Sequence, residues 1–219
     1  HTRLTDVTGV RRVLFRSELV LFARLAWDRR LTESTGGNMS VRIGDHIVIT
    51  PTTMVKHFLT EEDLVEVDLA GNKVRGRREA SSEYRMHLKI YRECNEVVSV
   101  FHAHPVHATT MAVQQKEFPV NVLPETALML APITYLPYKM PGTDDFAEVF
   151  GEGLKQGSRT FVLRNHGVTV TGKSIEEAYA KLETLEFLAQ ITHLSGARPV
   201  HLEIPSEEVE RFLRKVRGY

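Results

Sequence analysis

Apolar positions along the chain follow two different periods, one typical of helices and one typical of strands. Apolar residues recurring every three or four positions predict four helices, over about residues 18–29, 81–94, 174–188 and 206–216. Alternating or continuous short apolar runs predict strands at residues 39–43, 46–50, 65–69, 73–75, 97–103, 160–163 and 168–171. Gly44-Asp45 and Gly71-Asn72 lie between paired runs, as hairpin turns do.

The order of these elements predicts the fold class. Strands occur both as hairpins and in strand–helix units, which favours an α/β three-layer sandwich with a central, mostly antiparallel sheet flanked by helices. A chain of 219 residues is compatible with one domain. We therefore predict a single domain over residues 18–219.

Residues 1–17 do not fit that pattern. They have no clean apolar period, and VTGVRRVLFRS (residues 7–17) resembles a translated sequencing adapter with one base missing. The alternative interpretation is a basic N-terminal tail. We expect this segment to be non-native or disordered and leave it out of the fold prediction.

Composition excludes several classes of partner. Lys+Arg and Asp+Glu are equal at 28 each, so no net charge attracts nucleic acid or an anionic membrane. No apolar run approaches the roughly 18 residues of a membrane span. The chain has one cysteine, Cys94, and no secretory signal pattern, so we expect a cytoplasmic protein.

Histidines at strand ends are the first candidate chemistry. His102 and His104 end an apolar run, and a strand places residues two apart on one face, about 6–7 Å apart. A second apolar run ends at His166, before Gly167. Three histidines would leave a tetrahedral zinc ion an open position, which is the catalytic arrangement. The alternative is a set of unconnected histidines.

Three short segments could bind phosphate. Gly36-Gly37-Asn38 precedes a strand, Thr52 follows one, and Ser81-Ser82 lies at a predicted helix start, where N–H groups suit an anion. Each is also compatible with an ordinary turn or cap. Glu83 lies next to the serines. Taken alone, it is explained by the helix dipole, which favours a negative charge near a helix N-terminus.

Six motifs together resemble the class II aldolase/adducin family, most closely its L-fuculose-phosphate aldolase-like branch. They are TGGNMSVR (35–42), ITPT (49–52), SSE (81–83), FHAHPVHAT (101–109), PGT (141–143) and NHG (165–167). The resemblance covers about residues 18–195. It implies a class II aldolase-like fold, usually a homotetramer with the active site between neighbouring subunits.

The resemblance also implies a role for each matching residue. His102, His104 and His166 would bind Zn²⁺ or another divalent metal, and Glu83 would act as acid/base. The residues that would hold the phosphate of a small phosphorylated sugar are Gly37, Asn38, Thr52, Ser81 and Ser82.

The implied reaction is cleavage of a ketose phosphate, such as L-fuculose 1-phosphate, to dihydroxyacetone phosphate and an aldehyde. The same site supports 4-epimerisation of L-ribulose 5-phosphate, and dehydration or decarboxylation of related sugar phosphates. An adducin-like binding module is a further alternative, but that class typically loses the metal ligands, and this chain keeps them.

Some positions depart from the family pattern. Thr53 stands where some family aldolases have glycine. A catalytic tyrosine of the family is absent near Glu125, and Glu125 is a candidate to replace it. Tyr219 falls near a C-terminal tyrosine that some members lend to the neighbouring site. Of the other histidines, His87 is expected at the edge of the site. The histidines expected to be dispensable are His46, His57, His193 and His201.

Overall fold

The computed structural model of the protein describes residues 2–196 and 203–218. Its strands are β1 (Asn38–Ile43), β2 (His46–Ile49), β3 (Val65–Asp68), β4 (Lys73–Arg75), β5 (Ser99–Ala103), β6 (Ile133–Leu136), β7 (Thr160–Leu163) and β8 (Gly167–Gly172). They form one sheet in the order β4-β3-β2-β1-β5-β8-β7-β6. Neighbouring strands are antiparallel except for β6 and β7, which are parallel. The predicted α/β class with a mostly antiparallel sheet is confirmed.

Helices cover both faces of the sheet. They are α1 (Thr2–Asp28), α2 (Tyr84–Glu93), α3 (Val106–Val113), α4 (Pro124–Leu130), α5 (Asp144–Glu148), α6 (Gly151–Lys155), α7 (Ile175–Leu194) and α8 (Ser206–Arg217). Helices α1, α3, α4 and α7 pack on one face, and α2, α5 and α6 pack on the other. The predicted three layers are therefore present.

Alternation along the strands divides the core between the two faces. Phe101 of β5 packs in the cluster beneath α1 and α7, whereas its neighbour Val100 packs in the cluster beneath α2. The same period of two assigns Val162 and Phe161 of β7 to opposite clusters. Strands buried on both faces in this way consist mainly of apolar residues, so a buried polar side chain on one of them needs an explanation.

The helix boundaries differ from the prediction at two places. Helix α1 begins at Thr2 rather than near residue 18, and Arg16 on it donates to Glu66 at 2.8 Å. The non-native origin of residues 1–17 stays a prediction. Helix α2 begins at Tyr84, so Glu83 lies just before the helix and not inside its first turn.

Five shorter elements were not predicted from the sequence: α3, α4, α5, α6 and β6. They contain between four and eight residues each. Two helical turns or fewer repeat an apolar position too seldom for a period to be visible. Ser174 caps α7, since its hydroxyl accepts from the Glu177 N–H at 3.1 Å.

Candidate metal centre and active site

Polar side chains replace apolar ones on the α2 face of the three central strands. Asn38 of β1 lies opposite His102 of β5, and His102 lies opposite Thr169 of β8. Directly opposed residues on neighbouring strands share a face, so these side chains form a row across the sheet. All three are buried. Buried polar groups require partners, and the residues that supply them define the site.

Three histidines meet at one end of this row. The Nε2 atoms of His102 and His104 are 3.1 Å apart, and the candidate ligand atoms of His102, His104 and His166 all lie within 4.8 Å of one another. His102 is on β5 and His104 just beyond its end. His166 comes from the tight turn between β7 and β8. The structure thus brings together the three residues predicted from sequence, and they could hold a metal ion.

Two glycines allow this close approach. A Cβ on Gly167 would come within 2.5 Å of His104 Cδ2, so any side chain there would displace the histidine. Gly37 has a φ of +69°, and a Cβ there would lie 2.8 Å from the carbonyl oxygen of His102. Both positions therefore require glycine for steric reasons.

The donor set fits a divalent cation. Burial, together with the neighbouring imidazoles, holds the pKa of His102 well below its usual range, and burial lowers the pKa of His166 to about 4. These rings are therefore neutral near pH 7 and keep a lone pair for coordination. Within the described residues, His166 Nδ1 and Glu83 Oε1 are buried without a hydrogen-bond partner. Neutral imidazoles around unpaired buried polar atoms are what a metal site requires.

Glu83 lies against this cluster. Its Oε2 is 3.4 Å from His102 Nε2, and its Oε1 is 3.5 Å from His166 Nε2. The side chain is only 9% exposed, and burial raises the pKa of its carboxyl. A carboxylate with a raised pKa, beside residues that could hold a metal, is suited to proton transfer.

A chain of buried hydrogen bonds orients that carboxylate. Asn38 Nδ2 donates to Glu83 Oε2 at 2.6 Å, and Asn38 Oδ1 is 2.5 Å from His87 Nε2. An amide oxygen only accepts, so His87 carries its proton on Nε2. Its Nδ1 then accepts from Ser40 Oγ at 2.7 Å, and Ser40 in turn accepts from Tyr91 at 2.8 Å.

In this network of hydrogen bonds, a single residue, Asn38, connects His87 to Glu83. Burial lowers the pKa of His87 to about 3, so the ring stays neutral and keeps the direction of donation. The sequence indicated only that His87 lies near the edge of the site. It did not indicate that Ser40 and Tyr91 extend the network into the core.

Partners outside the cluster orient two of the histidines. His102 Nδ1 shares a hydrogen bond of 3.0 Å with Thr169 Oγ1, and His104 Nδ1 shares one of 2.9 Å with Glu33 Oε1. Such contacts fix which ring nitrogen faces a metal. Neither Thr169 nor Glu33 was identified from the sequence. Thr169 could have been found by pairing β5 with β8, whereas nothing in the spacing pointed to Glu33.

The three candidate phosphate-binding segments lie side by side. The Thr50 N–H donates to the Met39 carbonyl at 3.0 Å, and the Ser81 N–H donates to the Thr50 carbonyl at 3.2 Å. These bonds join the ends of β1 and β2 to the segment before α2. Asn38 also donates to Glu83 at 2.6 Å, and the Thr52 N–H donates to the Glu79 carbonyl at 3.1 Å, so the three segments are neighbours. The residues on them that are predicted to hold phosphate are Gly37, Asn38, Thr52, Ser81 and Ser82.

Of the two additional candidates, Glu125 lies within the described residues, and it does not join the cluster. Glu125 is exposed in the first turn of α4 and makes no hydrogen bond or ion pair with any described residue. Tyr219 lies outside the described residues. Participation of either residue stays a prediction.

His46, His57 and His193 lie outside the cluster. His46 and His57 contact Asp45 and Asp28 at 2.6 and 3.0 Å. The ring of His193 lies 5.9 Å from that of His107, outside the cluster. His201 lies outside the described residues. No described helix combines the length and apolar character needed to cross a membrane.

Known proteins are similar to this chain in sequence and fold. Residues 17–193 match the family described as Class II Aldolase and Adducin N-terminal domain. An L-fuculose phosphate aldolase from Methanococcus maripaludis is 36% identical over 178 residues, covering 81% of this chain and 96% of the relative. A 5-deoxy-D-ribulose 1-phosphate aldolase from Bacillus thuringiensis is 31% identical over 207 residues, covering 93% of this chain and 96% of the relative.

A solved structure extends the similarity to three dimensions. A protein described as L-fuculose 1-phosphate aldolase superposes with a TM-score of 0.84 at 29% identity, covering 93% of this chain and 96% of the other. The chain therefore belongs to the class II aldolase and adducin family, and to its L-fuculose-phosphate aldolase-like branch. The family predicted from the six motifs is confirmed. We predicted a sugar-phosphate aldolase, and these relatives are named as sugar-phosphate aldolases.

Proposed function

We propose that this protein is a zinc-dependent aldolase that cleaves a ketose 1-phosphate to dihydroxyacetone phosphate and an aldehyde. L-fuculose 1-phosphate and 5-deoxy-D-ribulose 1-phosphate are the candidate substrates, because similar proteins are named for them. The observation that carries the proposal is the position of Glu83. Its Oε1 accepts no hydrogen bond from a described residue and lies 3.5 Å from His166 Nε2, beside three histidines that could hold a metal.

The histidines supply the first requirement of the reaction. His102, His104 and His166 would hold a zinc ion, which supplies Lewis-acid polarisation of a substrate carbonyl when bound. Thr169 and Glu33 would keep two of these rings in the orientation that presents a lone pair. Another divalent metal would fit the same donors, so the identity of the ion is part of the test.

Glu83 supplies the second requirement. In retro-aldol cleavage the bond between C3 and C4 breaks, its electron pair stays on the C3 fragment, and that carbon then takes a proton. We assign this proton transfer to Glu83, because burial raises the pKa of its carboxyl toward the range that suits an acid/base. The hydrogen bond from Asn38 holds Oε2 and leaves Oε1 for the transfer. Glu125 or Tyr219 stays a candidate for the proton on the C4 hydroxyl.

The segments around Asn38 supply the third requirement. A phosphate held by Gly37, Asn38, Thr52, Ser81 and Ser82 would place the reacting carbons beside Glu83, because Asn38 contacts that carboxylate directly. Binding energy from a phosphate remote from the reacting bond positions the substrate for reaction. We therefore expect free sugars to react far more slowly than their 1-phosphates.

Product analysis tests the proposal. Purified zinc-loaded protein is incubated with L-fuculose 1-phosphate, 5-deoxy-D-ribulose 1-phosphate and L-ribulose 5-phosphate, and the products are identified by NMR. Dihydroxyacetone phosphate plus an aldehyde from either 1-phosphate is expected. A C4 epimer of L-ribulose 5-phosphate, with no cleavage of the 1-phosphates, would assign the site to epimerisation instead.

Assembly and location are also part of the proposal. We propose a cytoplasmic homotetramer with each site completed at a subunit interface, as the family resemblance implies. Partial exposure of His104 and His166, at 22% and 13% of their side chains, leaves the outer side of the site accessible to a neighbouring subunit. Light scattering on the purified protein should give four times the chain mass of 24.9 kDa, and a monomer would contradict this part.

A further inference from the structure

Lys56 is a fully buried lysine that the proposed reaction does not use. Its relative exposure is 0%, and it begins the short 3₁₀ helix Lys56–Phe58. Lysine is almost never fully buried unless its charge is paired. In the described part of the chain, however, the ammonium of Lys56 forms no direct salt bridge. Glu33, which is 59% exposed and pairs with His104, attracts it only at longer range. A buried cation that contacts no carboxylate directly requires another explanation.

The ammonium group of Lys56 joins two separate loops. It donates to the carbonyl of Thr35 at 3.0 Å and to the carbonyl of Met54 at 2.9 Å. An ammonium has three N–H donors, so one remains without an acceptor among the described residues. Two loops that are far apart in sequence are thus held together by one buried positive charge.

Both loops lead directly to proposed phosphate-binding residues. Thr35 precedes Gly36-Gly37-Asn38, and Met54 is two residues after Thr52. The groups assigned to phosphate on these loops are neutral backbone and side-chain donors. A sugar phosphate carries up to two negative charges, and a nearby cation stabilises such an anion more strongly than neutral donors do. Burial lowers the pKa of Lys56 to about 8, which still leaves the group mostly charged at pH 7.

We propose that Lys56 is a positioning residue that selects phosphorylated substrates. It would hold the Gly37 and Thr52 loops at a fixed separation and place a buried positive charge behind them. This inference rests on the proposed function, because it assumes that these loops receive the substrate phosphate. Lys56 lies outside the six motifs, and neither the pattern nor the spacing of the sequence indicated a role for it.

The Lys56→Met variant tests this inference, since it removes the charge and both hydrogen bonds while keeping an apolar chain of similar length. Binding of inorganic phosphate is measured by calorimetry, and kcat and KM are measured with the cleaved sugar phosphate. Phosphate affinity should fall by roughly 10- to 100-fold, and KM should rise by a similar factor, as expected when an anion loses a charged partner. Zinc content should be unchanged, and kcat should fall much less than KM rises.

Two further variants make each outcome decisive. Lys56→Gln keeps a donor but no charge, so it should show the same loss of phosphate affinity even if Lys56→Met folds poorly. Lys116→Met is the matched control, because Lys116 is exposed and its side chain forms no hydrogen bond or ion pair with a described residue. Wild-type phosphate affinity in both Lys56 variants, or loss of the fold in both, would overturn the inference and leave Lys56 a structural residue.

The two proposals can fail separately. If wild-type protein cleaves sugar phosphates and Lys56→Met does so with unchanged KM, the inference about Lys56 is wrong and the proposed function stands. If wild-type protein cleaves none of them, but binds inorganic phosphate more tightly than Lys56→Met does, the aldolase proposal fails and Lys56 still supports an anion site.

Discussion

Asn38 donates a hydrogen bond of 2.6 Å to Glu83, and this contact joins the proposed phosphate site to the proposed proton-transfer site. Asn38 begins β1, whereas Glu83 precedes α2, so a strand and a helix meet at one carboxylate. The same asparagine accepts from His87, which fixes its amide orientation. A substrate that contacts Asn38 through its phosphate is therefore adjacent to the group that would move its proton.

Replacing Glu83 by Gln should separate catalysis from metal binding. The three histidines can hold zinc without the carboxylate, and the Gln side-chain oxygen can still accept from Asn38. We expect zinc content to be retained and turnover to fall by roughly 10²–10⁴-fold, the usual contribution of a positioned acid/base. The measurement is exchange of the C3 proton of dihydroxyacetone phosphate with deuterated water. Glu125→Gln is the control, and a loss of exchange there but not in Glu83→Gln would reassign the base.

Removing His102 or His166 should remove the metal itself. Each ring contributes a ligand atom to the cluster, and burial keeps both rings neutral. We expect His102→Ala and His166→Ala to lose bound zinc and activity together. Elemental analysis of purified protein measures this directly. His46→Gln and His57→Gln, whose rings contact Asp45 and Asp28 instead, should keep about one zinc per chain; full zinc in the alanine variants would contradict the site.

Glu33 should affect zinc affinity without being a ligand. Its Oε1 accepts a hydrogen bond of 2.9 Å from His104 Nδ1. Partners of this kind typically contribute 10- to 100-fold to metal affinity. Competition titration with a zinc chelator should show a loss of roughly that size in Glu33→Ala. Glu117→Ala is the matched control, because Glu117 is exposed and forms no hydrogen bond or ion pair with a described residue. Equal affinity in both variants would show that Glu33 does not orient His104.

The sequence predicted the cluster of three histidines better than the residues around it, for a physical reason. His102 and His166 lie at the ends of buried strands, so strand periodicity and the NHG and HAH motifs both located them. Glu33 reaches the site from an irregular loop, and its side chain is 59% exposed, so no period marks it. Lys56 was overlooked because an isolated lysine in a polar segment is normally a surface residue.

The fold was predictable to a similar extent. The hairpins β1–β2 and β3–β4 have turn residues between regular strands, and α7 is long enough for its apolar stripe to be visible. Strand β6 was missed because its pairing with β7 is parallel and needs a long crossover that local patterns do not reveal. Long-range pairing is therefore the part of this fold that the local pattern contains least.

Asp63 should make the stability of the protein depend on acidic pH. Burial alone would raise its pKa, but hydrogen bonds from Arg78, Thr60 and Arg77 outweigh burial and hold the pKa of Asp63 well below its usual range. A carboxyl with a lowered pKa in the folded state stabilises it above the unfolded pKa of about 4. That contribution is lost as pH falls from there toward the folded value.

The Asp63→Asn variant measures this contribution. We expect it to be about 2 kcal/mol less stable than wild type at pH 7, since hydrogen bonds to a charged group are lost. Urea unfolding at pH 7, 5 and 3.5 should show that the difference narrows as pH falls below about 4. A difference that stays constant across this range would mean that Asp63 acts through packing rather than charge.

Thr53 should be a strained position that glycine relieves. Its φ is +51°, in the left-handed region, and a β-branched residue there is an outlier. Some family aldolases have glycine at this place, and the backbone angle explains why. Left-handed backbone costs roughly 1–2 kcal/mol for a residue with a Cβ, and glycine loses part of that gain through its greater freedom when unfolded. We therefore expect Thr53→Gly to stabilise the protein by roughly 0.5–1 kcal/mol, measured by urea unfolding.

Thr53→Ala is the matched control, because alanine keeps the Cβ and hence most of the steric cost. Since Thr53 is exposed and its hydroxyl bonds to no described residue, no internal contact is lost in either variant. If alanine stabilises as much as glycine, the gain comes from removing the branched side chain, and the backbone explanation is wrong.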